Sequence, residues 1–282
     1  MIAFLGTGLL GSAFVRAARR RGVAVQVWNR SLDKAEPLAA DGAVVCPTPA
    51  EAVRGASMVH VALSDDAAVD AVLEQALAGL EPGAAIIDHT TTSPTGAAER
   101  TRRWHERGFV FLHAPVFMGP QNALDSTGFM LASGDKAKFE DLAPSLRPMT
   151  GKLMYLGEGD DRAAAFKLIG NLFLVALTGG LTDAFLLGQA TGISPADVAS
   201  LFDWFNPGAA VPARAQRMRD IHGKPSWTLA MARKDSRLML EAAARGDKEL
   251  VVIPAVAALM DQWLATGHAE EDWSVIARDA VT

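Results

Sequence analysis

Three glycines near the start of the chain have the spacing of a phosphate-binding loop. Residues 6–11 read Gly-Thr-Gly-Leu-Leu-Gly, directly after a short apolar run and at the start of a helical pattern. The first glycine of such a loop permits a tight turn, the second lets the backbone approach a pyrophosphate, and the third lets the helix pack closely. Free N–H groups at the helix N-terminus then bind phosphate oxygens. We predict a dinucleotide site that uses Gly6, Thr7, Gly8, Leu9, Leu10 and Gly11.

The residues after the second predicted strand indicate which dinucleotide is preferred. NAD sites usually have an acidic residue about 20 residues after the glycines, where it binds the ribose 2′-hydroxyl. Asn29, Arg30 and Ser31 occupy this place, and Asp33 comes too late in the chain. Because an arginine attracts a 2′-phosphate that an acidic residue would repel, the sequence predicts NADP in preference to NAD. The alternative is that Arg30 is an ordinary surface arginine.

A lysine and an amide lie within the most apolar helical pattern of the chain. Lys167 and Asn171 are four residues apart, so both side chains lie on the same face of the helix. Beside a nicotinamide, a desolvated lysine can act as a general acid or base, and an amide can orient it or hold a substrate hydroxyl. The alternative is a structural ion pair, or a lysine that extends its amine to solvent.

Strand and helix patterns alternate in the first half of the chain, which is typical of parallel βαβ units. No strand pattern follows residue 161. We therefore predict an α/β fold with an N-terminal Rossmann-type doubly wound sheet, a long interdomain helix and an all-α C-terminal domain. The predicted domains are residues 1–160 and 161–282, the second beginning with the helix at 161–191. Further predicted helices cover Asp33–Asp41, Ser194–Phe205, Arg214–Ile221, Trp227–Arg245, Pro254–Thr266 and Asp272–Ala280.

Composition excludes several classes of protein. The chain has 282 residues, half of them hydrophobic, and a net charge of −5, so it is neither disordered nor a generic nucleic-acid binder. Its single cysteine excludes an internal disulfide, and no spacing of ligands suggests a metal.

The apolar segment Leu168–Thr182 is shorter than the roughly 18 residues that cross a bilayer, so we expect a core helix, no membrane contact and a cytoplasmic location. The N-terminal residues lack the basic region of a signal sequence.

Four segments and a late Lys-Asp pair together resemble the β-hydroxyacid dehydrogenase family over essentially the whole chain. This family includes 3-hydroxyisobutyrate dehydrogenases and glyoxylate/succinic semialdehyde reductases. Residues 6–11 resemble its dinucleotide loop, and residues 88–94 resemble its D-x-S-T-x-x-P segment. Residues 113–120 resemble its D-A-P-V-S-G-G substrate loop, and residues 157–171 its segment with the catalytic lysine. Lys234 and Asp235 match the late Lys-Asp pair.

The resemblance implies an active site in the cleft between two domains and reversible hydride transfer between NAD(P) and the carbon bearing a 3-hydroxyl group. It implies Lys167 as the acid/base, with Asn171 as its helper and Asp235 positioning it. Leu63, Ser64, Thr91 and Lys234 would contact the cofactor, and Val116, Phe117, Met118, Gly119 and Trp227 would contact the substrate. The alternative for Trp227 is a core tryptophan. The family also implies a homodimer or homotetramer and a carboxylate-bearing small-molecule substrate.

The chain departs from the family pattern in the substrate loop. Phe117 and Met118 replace a serine and a glycine that help to bind a carboxylate, and Gly170 replaces an asparagine beside the lysine segment. Either the apolar pair reshapes the pocket, or the side chains pack inward while backbone N–H groups still bind the carboxylate. His113 replaces an aspartate and is either a ligand contact or a structural histidine.

Three functions therefore remain open on sequence alone. The first is an NADP-dependent reductase of a semialdehyde or 2-oxo acid, which in reverse is a 3-hydroxy acid dehydrogenase. The second is an imine reductase of the same architecture, favoured by Phe117 and Met118 and disfavoured by Lys167. The third is a non-catalytic NADP-binding protein, which the joint presence of Lys167, Asn171 and Asp235 disfavours.

Overall fold

The computed structural model describes residues 1–219 and 224–281. The chain divides into two compact units, Met1–Asn171 and Leu172–Thr282. The division falls within a helix, α7 (Arg162–Ala190), whose bounds lie within one residue of the interdomain helix predicted at 161–191.

A six-stranded parallel sheet forms the centre of the first unit. Its strands are β1 (Ile2–Leu5), β2 (Val25–Trp28), β3 (Val44–Val45), β4 (Met58–Val61), β5 (Ala85–Asp88) and β6 (Val110–His113). Their order in the sheet is β3-β2-β1-β4-β5-β6, and every neighbouring pair is parallel. This is the doubly wound order of dinucleotide-binding folds, which confirms the predicted fold class. The order reverses between β1 and β4, where such folds bind their ligands.

Helices cover both faces of this sheet. Those of the first unit, besides the start of α7, are α1 (Leu9–Arg20), α2 (Pro49–Val53), α3 (Asp66–Ala76), α4 (Pro94–Glu106), α5 (Pro120–Leu124) and α6 (Lys136–Leu146). The helix predicted over Asp33–Asp41 is instead two short 3₁₀ turns, Leu32–Lys34 and Glu36–Ala39. Pro37 explains the difference, because proline lacks an N–H donor and its ring clashes with the preceding turn of an α-helix.

Alternation of side chains along each strand gives the sheet two apolar layers. On β5, Ile86 packs in a cluster with Leu73 and Trp104, whereas its neighbour Ile87 packs in the opposite cluster with Phe14. Both isoleucines are fully buried, as expected for a strand with helices on each side.

A second, smaller sheet completes the first unit. Its strands are β7 (Val116–Phe117), β8 (Phe129–Ala132) and β9 (Lys152–Tyr155). The pair β7–β8 is antiparallel and the pair β8–β9 is parallel. The sequence patterns predicted β8 and β9 but not β7, which has only two residues.

Two stacked histidines are buried in the core of the first unit. His60 stacks on Phe4, and its Nδ1 lies 2.9 Å from Nε2 of His89. The other ring nitrogen of His89, Nδ1, lies 2.7 Å from the carbonyl oxygen of Ala114, to which it must donate. Burial lowers the pKa of His89 to about 4 and holds the pKa of His60 well below its ordinary value. His89 is therefore neutral at pH 7, and its Nε2 accepts a hydrogen bond from the Nδ1–H of His60.

This buried pair predicts a loss of stability in mild acid. An unfolded histidine has a pKa of about 6.5, so between that value and 4 the unfolded chain binds a proton that folded His89 does not. The stabilisation is present above pH 6.5 and is lost as the pH falls. From His89 alone we expect the free energy of unfolding to be about 2 kcal/mol lower at pH 5 than at pH 7, as measured by urea titration.

His60→Phe serves as the control for this prediction. The new ring can keep the stacking on Phe4 but cannot titrate, so the variant should lose less stability between pH 7 and pH 5. A wild-type protein that is equally stable at pH 5 and pH 7 would contradict the assignment of His89 as a buried, neutral histidine.

Helix α7 is apolar along its length and is mostly exposed in the single chain. Leu172 and Val175 are 69% and 73% exposed, and only 6% of the most apolar 18-residue window is buried. By length and composition alone, α7 is able to cross a membrane. The expectation of a core helix is thus not met within one chain, because its described elements leave most of the apolar surface of α7 exposed.

The second unit is helical over its described residues, 172–219 and 224–281. Besides the end of α7, its helices are α8 (Pro195–Trp204), α9 (Val211–Arg219), α10 (Leu229–Arg245), α11 (Ile253–Ala265) and α12 (Arg278–Val281). Residues 220 and 221, at the end of the helix predicted over 214–221, lie outside the described residues. The helix predicted over 272–280 is a 3₁₀ turn, Trp273–Ala277, followed by α12.

One buried carboxylate connects α7 to α11. Asp183 is 4% exposed, and its two oxygens accept hydrogen bonds from the backbone N–H groups of Val251, Val252 and Ile253, at 2.5 to 2.9 Å. These donors lie at the start of α11, where a helix has no backbone acceptors for its first N–H groups. The charge of Asp183 therefore has several donors despite its burial.

Candidate cofactor and active site

The glycine loop is shaped by two close backbone approaches. Gly6 has a φ of +100°, and a side chain there would place its Cβ 2.3 Å from the carbonyl oxygen of Ala62. A Cβ at Gly11 would lie 2.1 Å from the carbonyl oxygen of Gly6. Gly8 is different, because open space surrounds the position of its missing Cβ. Gly6 and Gly11 thus serve packing, and Gly8 leaves room for a ligand.

The N-terminus of α1 fits a pyrophosphate. Gly8 is the N-cap, and it offers no side chain to accept from the first turn. The backbone N–H groups at this end are therefore left for another acceptor. Leu9 is exposed and Leu10 is half-buried at the start of the helix, whereas Thr7 is buried. The geometry of the predicted loop residues is the one that a dinucleotide phosphate site requires, and their contact with a cofactor stays a prediction.

A cavity of about 480 Å³ begins at Gly8 and extends past the end of β2. Six of the predicted cofactor residues line it, namely Gly8, Asn29, Arg30, Ser31, Leu63 and Ser64. None of its described lining residues is acidic. Lys34 also lines the cavity and was not predicted as a cofactor residue. The sequence does show that Lys34 is a second basic residue, four positions after Arg30 in the segment that follows β2.

Asn29 holds the glycine loop against the segment that follows β2. Its Oδ1 accepts a hydrogen bond from the backbone N–H of Thr7 at 2.9 Å, and its Nδ2 donates to the carbonyl oxygen of Ser31 at 2.8 Å. With both polar atoms of Asn29 already bonded, Arg30, Ser31 and Lys34 are the side chains best able to contact an anion in this part of the cavity.

The ends of β4 and β5 are tied together beside the glycine loop. The backbone N–H of Leu63 donates to Oγ1 of Thr90 at 3.0 Å, and the N–H of Thr90 donates to Oδ1 of Asp88 at 2.9 Å. Ser64 donates to the carboxylate of Asp65. Thr91, the predicted ribose contact, is exposed directly after this anchored residue.

A fully buried arginine, missed by the sequence analysis, organises the same strand ends. Arg100 is 1% exposed, and its guanidinium contacts Asp66 and Asp70 at 2.8 Å and lies 3.6 Å from Asp88. Asp66 also accepts from the backbone N–H of Ser93, which follows the Thr91 segment. The available signal was the helical spacing of Ala97, Arg100, Thr101 and Trp104, which form the buried face of α4.

Lys167 and Asn171 meet as the helical spacing predicts. The amine of Lys167 donates to Oδ1 of Asn171 at 3.0 Å, and both side chains are half-buried. The ring of Phe117 covers the amine, with its centroid 4.3 Å from Nζ. Burial lowers the pKa of Lys167 below its ordinary value. An oriented amine with a lowered pKa can exchange a proton with a substrate oxygen.

The substrate loop presents apolar side chains. Val116 is buried in β7, and Phe117 and Met118 are half-buried. The backbone N–H of Gly119 donates to Oδ1 of Asn122 at 2.9 Å, which opens the short helix α5. This amide of the loop is therefore engaged within the protein.

Three predicted residues belong to the second unit. Lys234 and Asp235 lie on α10, and their side chains form an ion pair at 2.9 Å. Trp227 is half-buried and packs edge-on against Trp273, with ring centroids 5.5 Å apart. The predicted contacts of these residues with cofactor, substrate and Lys167 stay predictions.

Comparison with known proteins shows the family. The family described as the NAD binding domain of 6-phosphogluconate dehydrogenase matches residues 1–157. Glyoxylate/succinic semialdehyde reductase 1 of Arabidopsis thaliana is 30% identical, over 91% of this chain and 89% of that protein. The cytokine-like nuclear factor N-PAC of Xenopus tropicalis is 31% identical over 98% of this chain, which spans only 52% of that protein.

Solved structures show the same fold at lower sequence identity. An imine reductase from Myxococcus stipitatus, in complex with NADP+, superposes with a TM-score of 0.92 at 22% identity, and 99% of each chain is covered. The sheet order and the glycine loop thus define a nicotinamide-dinucleotide-binding domain. The chain belongs to the β-hydroxyacid dehydrogenase-like family, which confirms the resemblance drawn from its motifs.

Proposed function

We propose that this protein reduces a carbonyl group with NADPH and that Lys167 gives the proton to the carbonyl oxygen. The observation that carries the proposal is the hydrogen bond of 3.0 Å between Lys167 and Asn171. The nicotinamide supplies or accepts the hydride at carbon. In the reverse direction the enzyme oxidises a hydroxy compound, such as a 3-hydroxy acid, and neutral Lys167 takes the hydroxyl proton.

Asn171 fixes the direction of the amine in this proposal. Its Oδ1 accepts one of the three N–H donors of protonated Lys167, which leaves the other two for the substrate oxygen. Because burial lowers its pKa, protonated Lys167 is a stronger proton donor than an ordinary lysine. We assign Asp235 to positioning, Thr91 and Lys234 to the cofactor, and Trp227 to the substrate.

We also propose a preference for NADPH over NADH. Arg30 and Lys34 supply two cations to a cavity whose described lining residues include no carboxylate, and Ser31 adds a hydroxyl donor. A 2′-phosphate would gain charge-assisted hydrogen bonds there, whereas a 2′-hydroxyl would give these cations no anionic partner.

Arg30→Ala is the direct test of this preference. Loss of a charge-assisted hydrogen bond of about 1.5 kcal/mol or more should raise the Kd of NADPH by at least tenfold. The Kd of NADH should change by less than about threefold. Fluorescence titration of both cofactors measures the two effects. The exposed Arg54→Ala is the matched control, and equal losses for both cofactors in Arg30→Ala would mean that Arg30 does not contact the 2′-phosphate.

Two observations bear on the chemical class of the substrate. The names of the two Arabidopsis relatives include glyoxylate and succinic semialdehyde, which supports aldehydes and 2-oxo acids as substrates. The apolar pair Phe117 and Met118 supports imine reduction as a second candidate function. A protein that binds NADP without turnover is the third possibility, and the Lys167–Asn171 hydrogen bond argues against it.

The proposed reaction is tested by NADPH oxidation at 340 nm. The panel contains glyoxylate, succinic semialdehyde, methylmalonate semialdehyde, tartronate semialdehyde and one cyclic imine, each repeated with NADH. Turnover of any of the carbonyl compounds is the expected result. Turnover of the imine alone would favour the second candidate. No turnover of any compound, with intact NADPH binding, would favour either a bulkier substrate outside the panel or the third possibility.

We propose that a second copy of the chain covers α7. The side chains of Leu172 and Val175 are too exposed for a helix in water, and burying them contributes favourably at about 25 cal/mol per Å². A homodimer or homotetramer is the expected result of sedimentation equilibrium. We also propose a cytoplasmic location, with which the free cysteine Cys46 is compatible.

A further inference from the structure

Two of the departures of this chain from the family pattern, Phe117 and Gly170, are in direct contact. A Cβ at Gly170 would lie 2.3 Å from Cζ and 2.7 Å from Cε1 of Phe117. Those distances are far below van der Waals contact, so the ring of Phe117 fills the volume that a side chain at position 170 would need. The aromatic residue at 117 and the glycine at 170 are therefore one structural change rather than two.

This ring forms one wall around the amine of Lys167. Its centroid is 4.3 Å from Nζ, a distance typical of a cation–π contact. Asn171, one residue after Gly170, contacts the same amine at 3.0 Å. The amine thus has an amide oxygen as one neighbour and an apolar aromatic face as another.

The loop side chains beside this ring and the N–H of Gly119 offer no donor to a carboxylate. Phe117 and Met118 have no side-chain N–H or O–H, and the N–H of Gly119 already donates to Asn122. A carboxylate brought against these side chains would lose water without gaining charge-assisted hydrogen bonds from them. An apolar substituent would instead gain from contact with the ring.

We propose that the Phe117–Gly170 contact selects a carbonyl substrate with an uncharged, apolar substituent over an oxo acid. The aromatic ring takes the place of carboxylate-binding groups and packs against the substituent, while Lys167 and Asn171 act on the carbonyl oxygen. This inference rests on the proposed carbonyl reduction and narrows its substrate class. It makes Phe117 a specificity-determining residue.

Two aldehydes of the same shape test the selection. In 4-methylpentanal an isopropyl group stands where succinic semialdehyde has its carboxylate. With NADPH we expect kcat/KM of the wild type to be at least about tenfold higher for 4-methylpentanal than for succinic semialdehyde, a difference of about 1.4 kcal/mol. Phe117→Ser should reduce this ratio to about one or below. The exposed Phe205→Ser, in the second unit, is the control and should keep the wild-type ratio.

A double variant tests the contact itself without any need for turnover. Gly170→Asn alone forces the ring of Phe117 away and should lower the Tm. Adding Phe117→Ser removes the ring, so the double variant should have a higher Tm than Gly170→Asn alone. Additive effects of the two substitutions would overturn the inferred contact.

The outcomes separate the inference from the proposed function. If the wild type reduces succinic semialdehyde as well as 4-methylpentanal, or better, carbonyl reduction stands and the selection is wrong. If it reduces no aldehyde of either kind, the proposed function fails and the selection fails with it. In that case the Tm values of the variants still decide whether Phe117 and Gly170 are in contact.

Discussion

Lys167→Ala is expected to lower kcat for carbonyl reduction at least about a hundredfold, the scale typical of losing a general acid. The Kd of NADPH should change by less than about threefold, because the cofactor cavity described at Gly8 and Arg30 does not include Lys167. Steady-state rates and fluorescence titration of NADPH give the two quantities. A loss of kcat with intact cofactor binding is the signature of a group that acts on the reacting atoms.

Two further measurements make the assignment specific. The exposed Lys152→Ala removes a lysine of the same unit and should keep wild-type kcat. Reduction requires the protonated amine, so the wild-type rate should fall as the pH rises through the lowered pKa of Lys167, and oxidation should rise over the same interval. A Lys167→Ala enzyme with near wild-type turnover would refute the role.

Arg100→Met is expected to lower the free energy of unfolding by about 3 to 5 kcal/mol, since it leaves a buried carboxylate without its cation. Asp88 is fully buried. Its burial raises the carboxyl pKa, but His113 and the groups of Thr90 hold the pKa below its ordinary value, so the group is charged when folded. Methionine fills a similar volume to the arginine stem and isolates the effect of charge. Urea unfolding at pH 7 measures the change.

The same helix supplies the control for this prediction. Arg102 forms an exposed ion pair with Glu106, and pairs of this kind contribute about 0 to 1 kcal/mol. Arg102→Met should therefore lower the free energy of unfolding by no more than about 1 kcal/mol. The double variant Arg100→Met with Asp88→Asn should regain part of the lost stability, because a neutral amide needs no cation. A loss below about 1 kcal/mol in Arg100→Met would contradict the network.

Local patterns predicted most of the fold. The alternation of short apolar runs with helical patterns predicted the parallel sheet, because buried parallel strands are continuously apolar. The strand β7 was missed because its two residues were assigned to the substrate loop at 113–120. The prediction at Asp33–Asp41 was wrong because the helical pattern outweighed the effect of Pro37.

The site was predictable only where its residues are near in sequence. The glycine loop and the pair Lys167–Asn171 follow from spacing along one element. Lys34 and Arg100 were missed because their roles depend on which cavity or strand end the fold brings to them. The contact of Phe117 with Gly170 joins residues 53 positions apart, from 170 − 117, and the sequence shows both changes without showing that they touch.

The carboxylate of Asp183 has a consequence for the motions of the second unit. Three successive backbone amides at the start of α11 bind its two oxygens, so none of them can open to solvent alone without leaving a buried charge short of donors. The amide hydrogens of Val251, Val252 and Ile253 should therefore exchange with solvent deuterium together, at the rate of a shared opening. The residues just before Ile253 form no strand or long helix. We nevertheless expect their amide hydrogens to be protected from exchange as well as those of the neighbouring helices.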